Sequence, residues 1–375
     1  MTKRWFTPLV LMAIPIVGCS PSVDEAKPGV PTAVQITGGY GEAGESGVNL
    51  RALLDDVLVN TYQHRELSVG KQAAWQILHG ALAYQREFLV QHDGREISAV
   101  DYLLDGGAMQ GWRTQRGIPL DSAGERFGLR ILQDAGSKQG QGHPDQWFAV
   151  LAQCGLEANQ PIVVAGETYT MEDILRQIQW DVPLNSEREY SWTLIGLTTY
   201  LPTTARWEAS DGEEWSIERL VEIESSQSLD SSACGGTHRL IGIAMALNQH
   251  LAQGGKIEGV WQQADAKIQE AIMRARQYQN ADGSFSTNYF ARAGRSRDLS
   301  TNLGTTGHVI EFLTIAMTDE QLEQPWVRQA VTEMCELFQQ TEHIPLECGK
   351  LYHAAHGLVL YRHRVHGLRS FAKKE

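Results

Sequence analysis

Cysteine is scarce in this chain. There are five among 375 residues (Cys19, Cys154, Cys234, Cys335 and Cys348), and no two form a C-x-x-C pair. That excludes a disulfide-dense small scaffold and a zinc ribbon or thioredoxin-type site. Positive charge is short as well: 32 Lys and Arg stand against 45 Asp and Glu, a net charge of −13. Such a balance argues against a nucleic-acid partner and against electrostatic docking on anionic lipid. The apolar stretch at residues 6–17 is too short to cross a bilayer as a helix. Strand patterns are sparse, residues 161–165 (Pro-Ile-Val-Val-Ala) being the best candidate.

What is present begins at the N-terminus. Lys3 and Arg4, the apolar stretch and the Ile16-Val-Gly-Cys19 sequence resemble the signal peptide and lipobox of bacterial lipoproteins. The resemblance implies cleavage before Cys19, lipidation of Cys19 and a membrane anchor made by acyl chains. It places the chain in the bacterial cell envelope, facing an extracytoplasmic compartment. Residues 19–48 carry Ser, Pro and Gly without apolar periodicity and read as a flexible tether. A folded domain is expected over 49–367, with a basic tail at 368–375. The four cysteines of that domain are expected to be mostly free, since none has a partner nearby in sequence.

Within the domain a short phrase recurs, a His followed by an apolar helical run containing Gly or Ala. It starts at His79, His238, His308 and His356, and at Trp147 and Trp192 with Trp in the His place. The steps suggest a helical hairpin of about 45–50 residues, twice lengthened by insertions. The recurring segments are apolar on all sides, as buried helices are, and amphipathic segments alternate with them. In residues 325–340, Val327, Ala330, Val331, Met334, Cys335 and Phe338 fall at helical spacing. This alternation predicts an all-α fold, an α/α toroid of about six helical hairpins. The starts of its inner helices would converge on one face around a central cavity.

Segment 279–285 matches the pattern Q-x-x-D-G-x-(W/F) through Gln279, Asp282, Gly283 and Phe285. In that motif and in the repeat from about residue 50 to 367, the chain resembles the terpenoid cyclase/protein prenyltransferase superfamily. Gln91, Asp93 and Gly94 give a weaker echo. The resemblance implies the fold more than the activity. The D-x-D-D acid of the cyclases is absent. The prenyltransferases hold zinc with Asp, Cys and His, which Cys234 with His308 or His356 imitates without the motif order. The thioester proteins of the same fold carry G-C-G-E-Q, and Cys234-Gly-Gly-Thr lacks its Gln.

The chemistry-bearing candidates gather at the expected helix starts. His143, Cys234, His238, His308, Cys348, His353 and His356 form a set of metal-ligating residue types. His353 and His356 share a helix face at i and i+3. Zinc, a Cys/His nucleophilic pair and a structural or ligand-contacting polar cluster are the three readings of that set. Asp145 and Glu311 are the candidate catalytic carboxylates of a carbohydrate-cleaving enzyme, which needs two facing acids. Trp147, Tyr190, Trp192, Tyr289 and Tyr352 are candidates to line a sugar or isoprenoid pocket, or to pack the core. Arg292, Arg295 and Arg297 mark residues 280–302 as a lid, an anion clamp or a solvated loop. The functions that follow are a lipoprotein binding a small molecule, glycan or substrate in its cavity, a non-catalytic scaffold, and a metal-assisted or carbohydrate-cleaving enzyme.

Overall fold

The computed structural model describes residues 49–371 apart from 135, 186–188 and 231. The expected signal peptide, the tether, Cys19 and residues 372–375 lie outside the described residues.

In chain order the elements are α1 (Leu50–His64), α2 (Ala74–Tyr84), β1 (Leu89–His92), β2 (Arg95–Ser98), α3 (Ala99–Leu104), β3 (Thr114–Pro119) and β4 (Phe127–Ile131). Then come α4 (Gln146–Gln153), β5 (Pro161–Val164), β6 (Glu167–Thr170), α5 (Met171–Asp181), α6 (Ser191–Tyr200), β7 (Arg206–Glu208) and β8 (Glu214–Ser216). The remainder is helical: α7 (Ile217–Ser226), α8 (Thr237–Ala252), α9 (Val260–Gln277), α10 (Leu299–Ala316), α11 (Asp319–Leu322), α12 (Pro325–Gln340) and α13 (Cys348–His366).

The all-α expectation is corrected. The fold is 54% helical, but four two-stranded antiparallel sheets lie between the helices, so the chain is mixed α and β, and the toroid expected from the repeat is not shown. Three hairpins sit in equivalent places. β1–β2, β5–β6 and β7–β8 each run straight into a following helix. Ser98, Thr170 and Ser216 end those hairpins and cap α3, α5 and α7, accepting from the N–H of Asp101, Asp173 and Arg219. Two of the hairpins close on pairs of left-handed residues, Asp93-Gly94 (φ 47° and 76°) and Ala165-Gly166 (φ 51° and 84°), the geometry of a primed two-residue turn. The weak echo at Gln91, Asp93 and Gly94 is thus a hairpin tip.

The core belongs to α2, α4, α6, α8, α10 and α13. Nearly all residues of α4 and of the first half of α8 are buried, as an all-round apolar helix requires. Each of these six helices contacts the next in chain order, and α13 contacts α2. The amphipathic helices cover them: α5 on α4 and α6, α7 on α6 and α8, α9 on α8, and α12 on α10. In α12 the buried stripe is Val327, Ala330, Val331, Met334, Cys335, Leu337 and Phe338. The Q-x-x-D-G segment joins α9 to α12, because Gln279 donates to the carbonyls of Gly283 (2.9 Å) and Trp326 (2.8 Å).

The start of the expected basic tail packs back onto the fold. Phe371 is buried against Tyr84, 5.4 Å between ring centres, and Arg369 pairs with Asp55 at 2.7 Å.

Candidate functional site

Each of the six core helices contributes one ring to a common cluster: His79, Trp147, Trp192, His238, His308 and His353. Ring centres lie 5.8 Å apart for His79–Trp147, 5.4 Å for His79–His353, 5.0 Å for Trp192–His238, 5.6 Å for His238–His308 and 4.3 Å for His308–His353. These rings fill the interior where a central cavity was expected. The cluster meets solvent at its rim, where Cys234 and His143 are half-buried.

Local sequence explains how Cys234 comes to stand there. Cys234, Gly235 and Gly236 are all left-handed, with φ of 50°, 62° and 83°. Two glycines adopt this at little cost; a cysteine is strained. The turn delivers the chain into the N-terminus of α8, and His238 is its second residue. Side-chain atoms of Cys234, His238 and His308, one from each, lie within 4.8 Å of one another.

Both histidines are braced from behind. His308 Nδ1 donates to the Gly304 carbonyl at 2.7 Å, which leaves Nε2 as a lone-pair atom. His238 Nδ1 is 3.9 Å from Glu189 Oε1, and the same oxygen lies 2.7 Å from His143 Nδ1. Glu189 is fixed in turn by its neighbours. Glu224 on α7, fully buried, accepts from the Tyr190 N–H and the Ser191 hydroxyl, both at 2.9 Å, and pairs with Arg239 at 3.2 Å. That carboxylate therefore ties the residue after Glu189 to the residue after His238.

The electrostatics single out one thiol. Burial raises Cys154 to about 12 and Cys348 to about 11, and raises Cys335 too. Burial opposes ionisation at Cys234 as well, but the charges of His308 and His238 hold its thiol well below the ordinary value. Reciprocally, His238 and His308 are raised against their burial chiefly by Cys234. Glu189 is lowered despite burial by His143 and His238. Tyr289 is raised by burial and then by Cys234. All four described cysteines are unpaired.

The sequence-predicted residues divide accordingly. Cys234, His238, His308, His353 and His143 come together. His356 does not join the rings: its Nδ1 meets Glu311 Oε1 at 2.7 Å, while His353 Nδ1 meets Glu311 Oε2 at 2.8 Å. Glu311 is buried between two imidazoles, which hold it well below the usual carboxylate range against desolvation. Cys348 starts α13 outside the triad of ligand atoms. Asp145 accepts from Thr193 (2.6 Å) and Asn185 (3.0 Å) and is pushed up to about 6 by burial. Asp145 and Glu311 are thus each occupied by separate partners. In the 280–302 segment Arg295 pairs with Asp282 at 2.7 Å, and Arg292 and Arg297 are exposed.

Glu189, two residues before α6, was not among the catalytic or ligating residues singled out from the sequence. Glu224 and Arg239 were missed altogether, since a buried ion pair between two helices leaves no periodic trace.

No protein-family model matches the chain, and neither a curated protein nor a solved structure matches it.

Proposed function

We propose that the chain binds a transition-metal ion of the zinc class through Cys234, His238 and His308, and takes a ligand or substrate at the position left open toward the rim. The observation that carries this is a set of buried nitrogens without partners. His238 Nδ1 and Nε2 and His308 Nε2 make no hydrogen bond, although the two residues are only 3% and 4% exposed. Unsatisfied buried polar atoms cost free energy. A cation would satisfy one nitrogen of each ring, leaving His238 Nδ1 toward Glu189.

The donor set suits zinc: one thiolate and two imidazoles, each imidazole with its other nitrogen turned to an oxygen. An ion at about 2.0–2.3 Å from each ligand sets ligand atoms under about 4 Å apart, so small side-chain adjustments close the site. Three protein ligands leave one position of a tetrahedron open. There the ion would supply Lewis-acid polarisation of a carbonyl or phosphoryl oxygen. The chain's own residues orient the ligands: the Gly304 carbonyl holds His308, and the Glu189 carboxylate faces His238 at 3.9 Å. Lipidation of Cys19, as its sequence context suggests, would tether this centre to a bilayer.

Elemental analysis of purified protein tests the reading. About one zinc per chain is expected, lost in Cys234→Ser and in His308→Ala. Zinc at one hundred times its Kd should add about 2.7 kcal/mol of stability. A protein that carries no metal, and takes up added zinc no better than those two variants, sinks it.

A second reading rests on the strained, half-buried Cys234 with its lowered thiol. There Cys234 is a nucleophile for acyl transfer, His238 its base and Glu189 the residue that orients the base. It predicts metal-free protein whose Cys234 is alkylated by iodoacetamide far faster than the other three described cysteines.

A further inference from the structure

An aromatic side chain that the ligand set does not explain adjoins this centre. Tyr289 has φ of 52°, a strained conformation for a bulky residue. Its ring lies on the Cys234 turn: a Cβ added to Gly235 would stand 2.2 Å from Tyr289 Cγ. Its ring centre is 6.5 Å from that of His308, edge to face. The hydroxyl has no hydrogen-bond partner among the described residues. Two strained residues, Cys234 and Tyr289, thus adjoin across the same turn. Strain of this kind persists only where the surroundings enforce it, and it concentrates at ligand clamps.

The turn also feeds the N-terminus of a 16-residue helix, α8, whose first-turn N–H groups and dipole favour negative charge. His238, whose ring nitrogens are partnerless, is the second residue of that helix, and its ligand atom lies within 4.8 Å of those of Cys234 and His308. A dication held by one thiolate and two neutral imidazoles retains a net positive charge, so an anion is the fitting fourth ligand. A phenol is protonated at neutral pH and can only donate to an anion's oxygen.

We propose that the open position takes a small carboxylate ligand, one oxygen on the metal and the other accepting from the Tyr289 hydroxyl, with the N-terminus of α8 beside it. This rests on the metal reading above. Tyr289 is here a ligand-positioning residue, and the substrate or effector of the site is a carboxylate.

The experiment uses the full chain loaded with cobalt(II) and titrated with acetate, read by the cobalt visible spectrum. Saturable acetate binding is expected. In Tyr289→Phe, which keeps the ring on Gly235, the acetate Kd should rise about tenfold with cobalt affinity unchanged, the loss of one charge-assisted hydrogen bond. An acetate-insensitive spectrum in the parent chain, or equal acetate affinity in the two proteins, overturns the inference while leaving the metal centre standing. Loss of cobalt itself in Tyr289→Phe overturns it too, making the phenol a direct ligand. If the parent chain takes up no cobalt, or Cys234→Ser binds it equally well, the metal reading fails and this inference falls with it.

Discussion

His353 and His356 stand one turn apart on α13, and that single turn decides their tasks. Glu311 binds both, and only His353 goes on to meet His308, at 4.3 Å between ring centres. The carboxylate spaces α10 from α13 and steadies a ring that packs on a proposed metal ligand. Carboxylates elsewhere are less well provided for. Glu333 on α12 is pushed up to about 7 by burial and then by Asp282 and Glu336, with Arg295 opposing. Between its ordinary 4.5 and about 7, the folded chain holds a proton that the unfolded chain has released. Stability therefore falls as pH rises through that window, and the penalty is complete above it. Glu333→Gln should raise the melting temperature at pH 8 and leave it unchanged at pH 4, by calorimetry. The same shift at both pH values would discard this account. At this scale the sequence showed which residue types would gather and not which member of a pair would face inward. Aligning His356-Gly357 with His79-Gly80 puts His356 in the cluster. The chain instead uses the His one turn earlier, and that choice depends on Glu311 in another helix.

Glycine and alanine inside the core helices let them approach closely, as the interspersed small residues imply. A Cβ on Gly307 would stand 2.5 Å from Ala354 Cβ and 2.6 Å from its Cα, and one on Gly242 would stand 2.8 Å from the Ser191 carbonyl oxygen. Gly307 precedes His308 and Ala354 follows His353, so α10 and α13 touch beside the two rings. Gly307→Ala should then cost about 1–3 kcal/mol, the usual penalty for overpacking, and weaken zinc binding. Chemical denaturation and zinc titration measure both, and a variant as stable as the parent would show that the helices can part. The buried helices were legible because their composition is apolar on every side. The hairpins were not, with the exception of residues 161–165. Their strands are only three to six residues long, so they carry no alternation long enough to read. Asp93-Gly94 was the overlooked signal, read as an echo of a helix-closing motif when Asp-Gly is also a favoured primed turn.

At the scale of the molecule, the ring cluster draws on residues from 79 to 353, so it exists only when both ends of the domain are in place. Those ends meet: Asp55 on α1 pairs with Arg362 on α13 and with Arg369 beyond it, each at 2.7 Å. Because α13 contacts both α10 and α2, no core helix lacks a neighbour on either side, and the first and last helices are first and last in sequence alone. The position of the termini is then a free parameter of the gene rather than a requirement of the fold. A circularly permuted chain, joined from residue 371 to residue 49 by a flexible linker of about ten residues and reopened between Asp211 and Gly212, both exposed, should fold. It should show the parent's circular dichroism and metal content. A permuted chain that stays unfolded would mean that α1 and α13 must find each other last.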